Sequence, residues 1–168
     1  SSFYAFRDYA KALVTYRMGD FNGAVKLCSM AIGHDGSFIE ARYLMAESLY
    51  GSGNFNDTLV TFQDTLGEAT SVLGTKHPYV VMVRSRYGQI LQLFGNPNAA
   101  YKELKAALKH AKHYYGAGHP STATVMNNLS TTYTAMGKLN QAKQLLEQAL
   151  RIVNRTLGKQ HPQVADVS

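Results

Sequence analysis

Gly116-Ala-Gly-His119-Pro120 occurs in three versions along this chain. The others are Gly74-Thr-Lys-His77-Pro78 and Gly158-Lys-Gln-His161-Pro162, so the prolines at 78, 120 and 162 step by 42 residues. A second mark keeps the same beat, in Gly53-Asn-Phe, Gly95-Asn-Pro and Gly137-Lys-Leu. Two unrelated marks in one period mean one structural unit repeated.

Each mark has a physical reading. Glycine just past a helix end supplies a left-handed residue, and proline opening the next helix has no N–H to waste. Gly-x-x-His-Pro is therefore a stop and restart between helices, and the shorter Gly mark closes a turn inside each unit. Between the marks the apolar spacing is helical. Val125, Leu129, Tyr133 and Met136 recur at three and four residues, as do Leu145, Leu146, Ala149 and Ile152. Each unit is predicted to be a pair of helices, A then B.

Taken in order, helix A1 is predicted over 3–18, B1 over 21–32, A2 over 38–50 and B2 over 55–73. A3 follows over 78–94, B3 over 97–115, A4 over 120–136 and B4 over 139–157. Gly19 to Gly53 spans only 34 residues, and the missing eight are assigned to shorter B1, about two turns. The fold class expected is all-α, a solenoid of stacked antiparallel helix pairs. One domain over 1–168 would hold repeats at 3–36, 37–77, 78–119 and 120–161, with 162–168 starting a further A helix. A start without Met and an end inside a helix pattern read as a fragment of a longer protein. Val164 and Val167 on that cut helix would allow end-to-end self-association.

Composition narrows the function classes. A 45% hydrophobic content over 168 residues supports a buried core. The +6 net charge is spread out, which suits an acidic protein partner better than the dense basic stripe of a nucleic-acid binder. A single cysteine, Cys28, excludes an intrachain disulfide and points to a reducing, cytoplasmic setting. No apolar run approaches the roughly 18 residues of a membrane span, so membrane insertion is not expected. There is no Walker loop, His-Glu-x-x-His, Cys-x-x-Cys or Gly-x-Ser-x-Gly. Neither an enzyme, a small-molecule substrate nor a cofactor is expected.

A helix pair with Gly at its inner turn, a small residue five further on and another seven beyond resembles the tetratricopeptide repeat. The sets are Gly19, Ala24 and Ala31; Gly95, Ala100 and Ala107; and Gly137, Ala142 and Ala149. The second unit departs with Thr58 and Thr65, while Phe55 and Phe62 keep the aromatic positions. The 42-residue period, Asn127-Asn128-Leu129, and Ala149-Leu150-Arg151-Ile152 running to Leu157-Gly158 are similar to the kinesin light chain branch. This likeness rests mainly on residues 116–162.

The resemblance implies a right-handed superhelix whose A helices line a concave groove used for partner binding. The family's inward positions fall on Tyr9, Leu13, Tyr16 and Arg17, and on Tyr43, Glu47 and Tyr50. In the later repeats they fall on Ser85, Arg86, Gln89 and Gln92, and on Asn127, Asn128, Thr131 and Thr134. Amide side chains can pair with the backbone of an extended peptide whatever its sequence, and tyrosines give apolar contact with a polar tip. In peptide-binding members, the Asn matching Asn127 or Asn128 does this backbone pairing. The expected function is an adaptor module binding a peptide segment or helix of another protein, with Arg86 and Arg17 favouring acidic side chains. The competing class is a structural subunit of a cytoskeletal, ciliary or secretion assembly, packed by edges and convex face. A third is a regulatory domain of a multidomain protein.

Other residues have plainer readings. Lys102, Lys105, Lys109 and Lys112 on B3 read as a solvated face rather than a phosphate- or tubulin-binding stripe. His110 and His113 lack a third ligand for a metal. His77, His119 and His161 recur with the fold and are read as turn and capping residues. Cys28 and all six methionines are read as interior filling, and the sequons at Asn56, Asn128 and Asn154 as chance.

Overall fold

A computed structural model describes residues 2–160; among them there are eight α-helices and no strand. His161, Pro162, Val164, Val167 and the further helix predicted over 162–168 lie outside the described residues. Two compact units divide the chain, Ser1–Gly74 and Thr75–Ser168. The first contains α1 (Ser2–Arg17), α2 (Phe21–His34), α3 (Ile39–Gly51) and α4 (Phe55–Leu73). The second contains α5 (Pro78–Leu93), α6 (Pro97–Tyr114), α7 (Pro120–Ala135) and α8 (Leu139–Gln160). Within each unit every helix packs on its neighbour in sequence, and the two A helices also meet, α1 with α3 and α5 with α7.

The punctuation works as chemistry at both kinds of turn. Gly95 has φ 78°; its N–H donates to Gln92 O at 3.1 Å, and the Asn96 N–H reaches Leu91 O at 2.9 Å. That pair of bonds is a Schellman motif, and only glycine enters the left-handed region without steric cost. Asn96 then also caps the next helix, its side chain accepting from Ala99 N at 3.3 Å. At the outer turns the histidines cap through the ring. His77 Nδ1 accepts the Tyr79 N–H and His119 Nδ1 the Ser121 N–H, each at 3.1 Å, with proline opening the helix behind them.

Two boundary expectations change. Helix α8 runs through Gly158 to Gln160 instead of stopping there, because glycine permits the left-handed conformation without requiring it. The eight extra residues of the longer repeat are also shared between helices. Counted from one inner turn to the next, the B helix grows from 14 residues in α2 to 19 in α4, and the A helix that follows it from 13 in α3 to 16 in α5. The outer connections are four residues long at 35–38 and 74–77 and five at 115–119.

The helices close on small side chains. Ala24, Ala31, Ala100, Ala107, Ala142 and Ala149 are buried, as are Thr58 and Thr65 in the departing repeat. The two threonines fit because their hydroxyls donate to the carbonyls one turn back, Asn54 at 2.7 Å and Thr61 at 2.6 Å. Neither hydroxyl is left unpaired. The A helices supply a matching series that sequence reasoning missed: Ala12, Ala46, Gly88 and Ser130, buried or in close contact and in the same period. At Gly88 an added Cβ would lie 2.6 Å from Leu104 Cγ.

Cys28 is fully buried in a cluster with Ala12 and Leu44, as expected. Its counterparts Phe62 and Leu104 are buried too, but Leu146 on α8 is 41% exposed. The methionine expectation fails in part. Met126 is buried and Met45 packs on the Cys28 cluster, but Met18, at the end of α1, is 80% exposed. Met30 and Met82 are exposed as well. Helical spacing fixes a residue's angle around the helix but not whether a neighbour covers that end.

Candidate binding faces on the A helices

The predicted positions fall on α1 and α3 in the first unit and on α5 and α7 in the second. Their environments differ. In the first unit the tyrosines brace helices. Tyr9, Leu13 and Tyr16 are half-buried against the Ala12–Cys28–Leu44 cluster. Ring centroids lie 4.8 Å apart for Tyr9 and Phe38, 5.4 Å for Tyr16 and Phe21, and 5.8 Å for Tyr43 and Phe62. Tyr50 stands 6.5 Å from Phe55. Burial, then the charge of Glu40 and of Cys28, holds the Tyr9 hydroxyl above its ordinary range. Glu47 is only 8% exposed, while Arg17 ends α1 in solvent, where a cation complements the helix dipole.

The second unit assembles a polar face. Asn128 Nδ2 on α7 donates to Ser85 Oγ on α5 at 3.2 Å, tying the A helices together. Beside Ser85 on α5, Arg86 Nη1 donates to Gln89 Oε1, a turn further on, at 2.7 Å, so the guanidinium is held in place. Gln92 is half-buried; Asn127, Thr131 and Thr134 are exposed. Both threonine hydroxyls donate into their own helix, Thr131 to Asn127 O at 3.2 Å and Thr134 to Ser130 O at 3.0 Å. What this face offers a partner is therefore chiefly the Asn127 amide and the held Arg86, with Ser85 already engaged. The sequence did not distinguish these roles, since pairings between helices are invisible in one sequence.

Some polar groups elsewhere have structural partners. Asp8 is 1% exposed on α1; its Oδ1 accepts from Arg7 at 2.9 and 2.8 Å, and its Oδ2 lies 3.5 Å from His34 Nε2. Only its place in the Ala5–Asp8–Ala12 stripe hinted at burial. Lys102, Lys105, Lys109 and Lys112 are all exposed along α6. Lys105 Nζ donates to Tyr101 Oη at 2.9 Å, and that bond, then one with Tyr133, pulls the Tyr101 hydroxyl below its ordinary value. His110 is held below the usual imidazole range by burial first and then by Arg84, Lys109, Lys76 and His113. Among the described residues no three His, Cys, Asp or Glu side chains converge as metal ligands. No helix among them is long and apolar enough to cross a membrane.

Helix pairs repeated in register within each unit define an all-α repeat solenoid. Residues 82–155 match the tetratricopeptide repeat family. That stretch is tetratricopeptide-repeat sequence, and the fold of the chain is similar to that of solved kinesin-light-chain-type repeats. Among solved structures it is similar to BtubC (BKLC) from P. vanneervenii, with TM-score 0.84 and 17% identity over 92% of this chain and 65% of that one. It is similar to the nearly identical TPR-like repeats of a kinesin light chain candidate from Podosopora anserina, with TM-score 0.78, 18% identity, and coverage of 93% and 77%. MamA from Desulfovibrio magneticus RS-1 aligns at TM-score 0.71 and 18% identity, covering 88% of this chain and 75% of that one. This chain thus spans slightly less than two thirds of BtubC. Among curated proteins none matches its sequence.

Proposed function

We propose that this chain is a non-enzymatic protein-binding module that takes a peptide segment or helix of a partner protein on its A-helix faces. Repeats of this class serve as protein-interaction scaffolds, and solenoids work through extended surfaces rather than pockets. The observation that carries the reading is the polar face of α5 and α7, where Gln89 holds Arg86 and Asn127 stands exposed. A guanidinium already held in place loses less freedom on binding a carboxylate, and an amide can serve both the N–H and C=O of an extended strand. The partner is a cytoplasmic protein with acidic side chains opposite Arg86. The braced tyrosines of α1 and α3 add apolar contact area in the first unit. Replacing Asn127 and Arg86 together by Ala should weaken partner binding by about 2–4 kcal/mol if both are hot spots. Unchanged affinity in that variant, with helicity intact, sinks the reading.

A structural-subunit reading draws on a different observation, the exposed apolar stripe Leu139, Leu146, Leu150, Val153 and Leu157 on α8. Such a stripe fits packing against a further helix or another subunit. Light scattering across a concentration series separates the two, since growth in mass with concentration supports assembly.

A further inference from the structure

A hollow of about 630 Å³ opens in the second unit between α6, the 115–119 connection, α7 and α8. Its floor is apolar, made by Met126 and Ile152, both buried. Three cations line it, Lys112, Arg151 and Arg155, and among the described residues no acidic side chain does. The first unit supplies an internal comparison. The equivalent notch between α2, α3 and α4 is smaller, about 230 Å³, and is lined by both Arg42 and Asp64. Arg42 is also engaged there, donating to Gly36 O at 3.1 and 2.8 Å. The same architecture is thus charge-balanced in one unit and wholly cationic in the other.

The helix dipole accounts for only one of the three cations. Lys112 sits in the last turn of α6, where a cation is favoured. Arg151 and Arg155 lie five or more residues before the end of α8, beyond the reach of that effect. Gly118 completes the site. A Cβ there would lie 2.5 Å from Arg155 Nη2, so the missing side chain leaves room for the guanidinium, which donates one long bond of 3.5 Å to Gly118 O. The first copy of the motif has Lys76 at this place.

We propose that this notch is a second protein-docking site, which takes an acidic peptide segment carrying one apolar side chain. Carboxylates pair with Arg151, Arg155 and Lys112, since guanidinium groups match carboxylates in charge and planar geometry. The apolar side chain seats over the small exposed edges of Met126 and Ile152 and against Ala117 and the aliphatic stems of the cations. The site is separate from the α5/α7 face, and its test does not depend on that assignment.

The probe is a fluorescein-labelled peptide with one Leu flanked by Glu and Asp, titrated into the whole chain by fluorescence anisotropy. A twin peptide carries Gln and Asn instead. The acidic peptide should bind more tightly by about tenfold or more, with affinity falling as salt rises. Arg151→Gln with Arg155→Gln should remove that advantage, and Gly118→Leu, which keeps every charge, should weaken binding comparably. Arg86→Ala with Asn127→Ala should leave it intact. The proposal is overturned if the Gln variant keeps native helicity and full affinity, or if the Arg86/Asn127 variant loses as much. Equal binding of both peptides also overturns it, as does binding of inorganic phosphate or anionic vesicles without the peptide.

Discussion

Asn128 and Ser85 occupy neighbouring A helices of the second unit and share a hydrogen bond of 3.2 Å, with Ser85 buried beneath it. The bond sets the spacing of α5 and α7 on the face proposed to receive a partner. Ser85→Ala and Asn128→Ala should each destabilise the fold, and a double-mutant cycle should give a coupling of about 0.5–1.5 kcal/mol. Denaturant unfolding measures it. Fully additive losses would mean the two side chains act independently.

The histidine caps make a sharper prediction, because ring nitrogen, not charge, is what the turn uses. His119→Ala should cost about 1 kcal/mol of stability, and His119→Asn should recover most of it, since Asn is among the best N-caps. Thermal unfolding of both variants is the check. Equal destabilisation by Ala and Asn would assign the loss to the ring stacked on Tyr115 at 4.9 Å instead.

Gly88 tests how closely A and B helices approach. Gly88→Ala removes a flexible residue from a helix, which alone would stabilise by up to about 1 kcal/mol. The contact with Leu104 works the other way, overpacking at a typical cost of about 1–3 kcal/mol. A net loss is expected, and Leu104→Ala in the same chain should reduce that loss. A melting temperature raised by Gly88→Ala would show that the two helices can part.

Cys28 links burial to pH. Burial pushes its thiol from near 9.0 up to about 12, so the folded state keeps a proton that the unfolded chain gives up earlier. Its contribution to stability is fully present below pH about 9 and declines as pH climbs towards about 12. Thiol-reactive dye should label the native protein far more slowly than the denatured one. Cys28→Ala should flatten that part of the alkaline stability profile. Equal labelling rates in the two states would contradict the burial.

Turns were the most legible part of this chain. Gly53, Gly95 and Gly137 take positive φ where the 42-residue beat placed them, and His77 and His119 cap as their recurrence implied. A local motif carries its own conformational reason, so one sequence suffices to read it. The faces were legible only as angles around a helix. Nothing local says that Tyr43 leans on Phe62, that Glu47 is covered, or that Asn128 spends its amide on Ser85. Each depends on a residue in another helix. The cationic notch escaped for the same reason, as Lys112 and Arg155 belong to different helices and line one hollow only in the folded unit.

Connections of nearly constant length have an evolutionary consequence. With the inner joints held at three residues and the outer ones at four or five while the B helix lengthens from 14 residues in α2 to 22 in α8, growth of the unit is confined to rods between nearly unchanged hinges. A lineage built this way can deepen its walls, and change what they display, without reworking a single turn. Duplicating the segment from Pro78 to His119 would likewise rejoin a glycine stop to a proline start, so gaining or losing a whole unit needs no new junction chemistry.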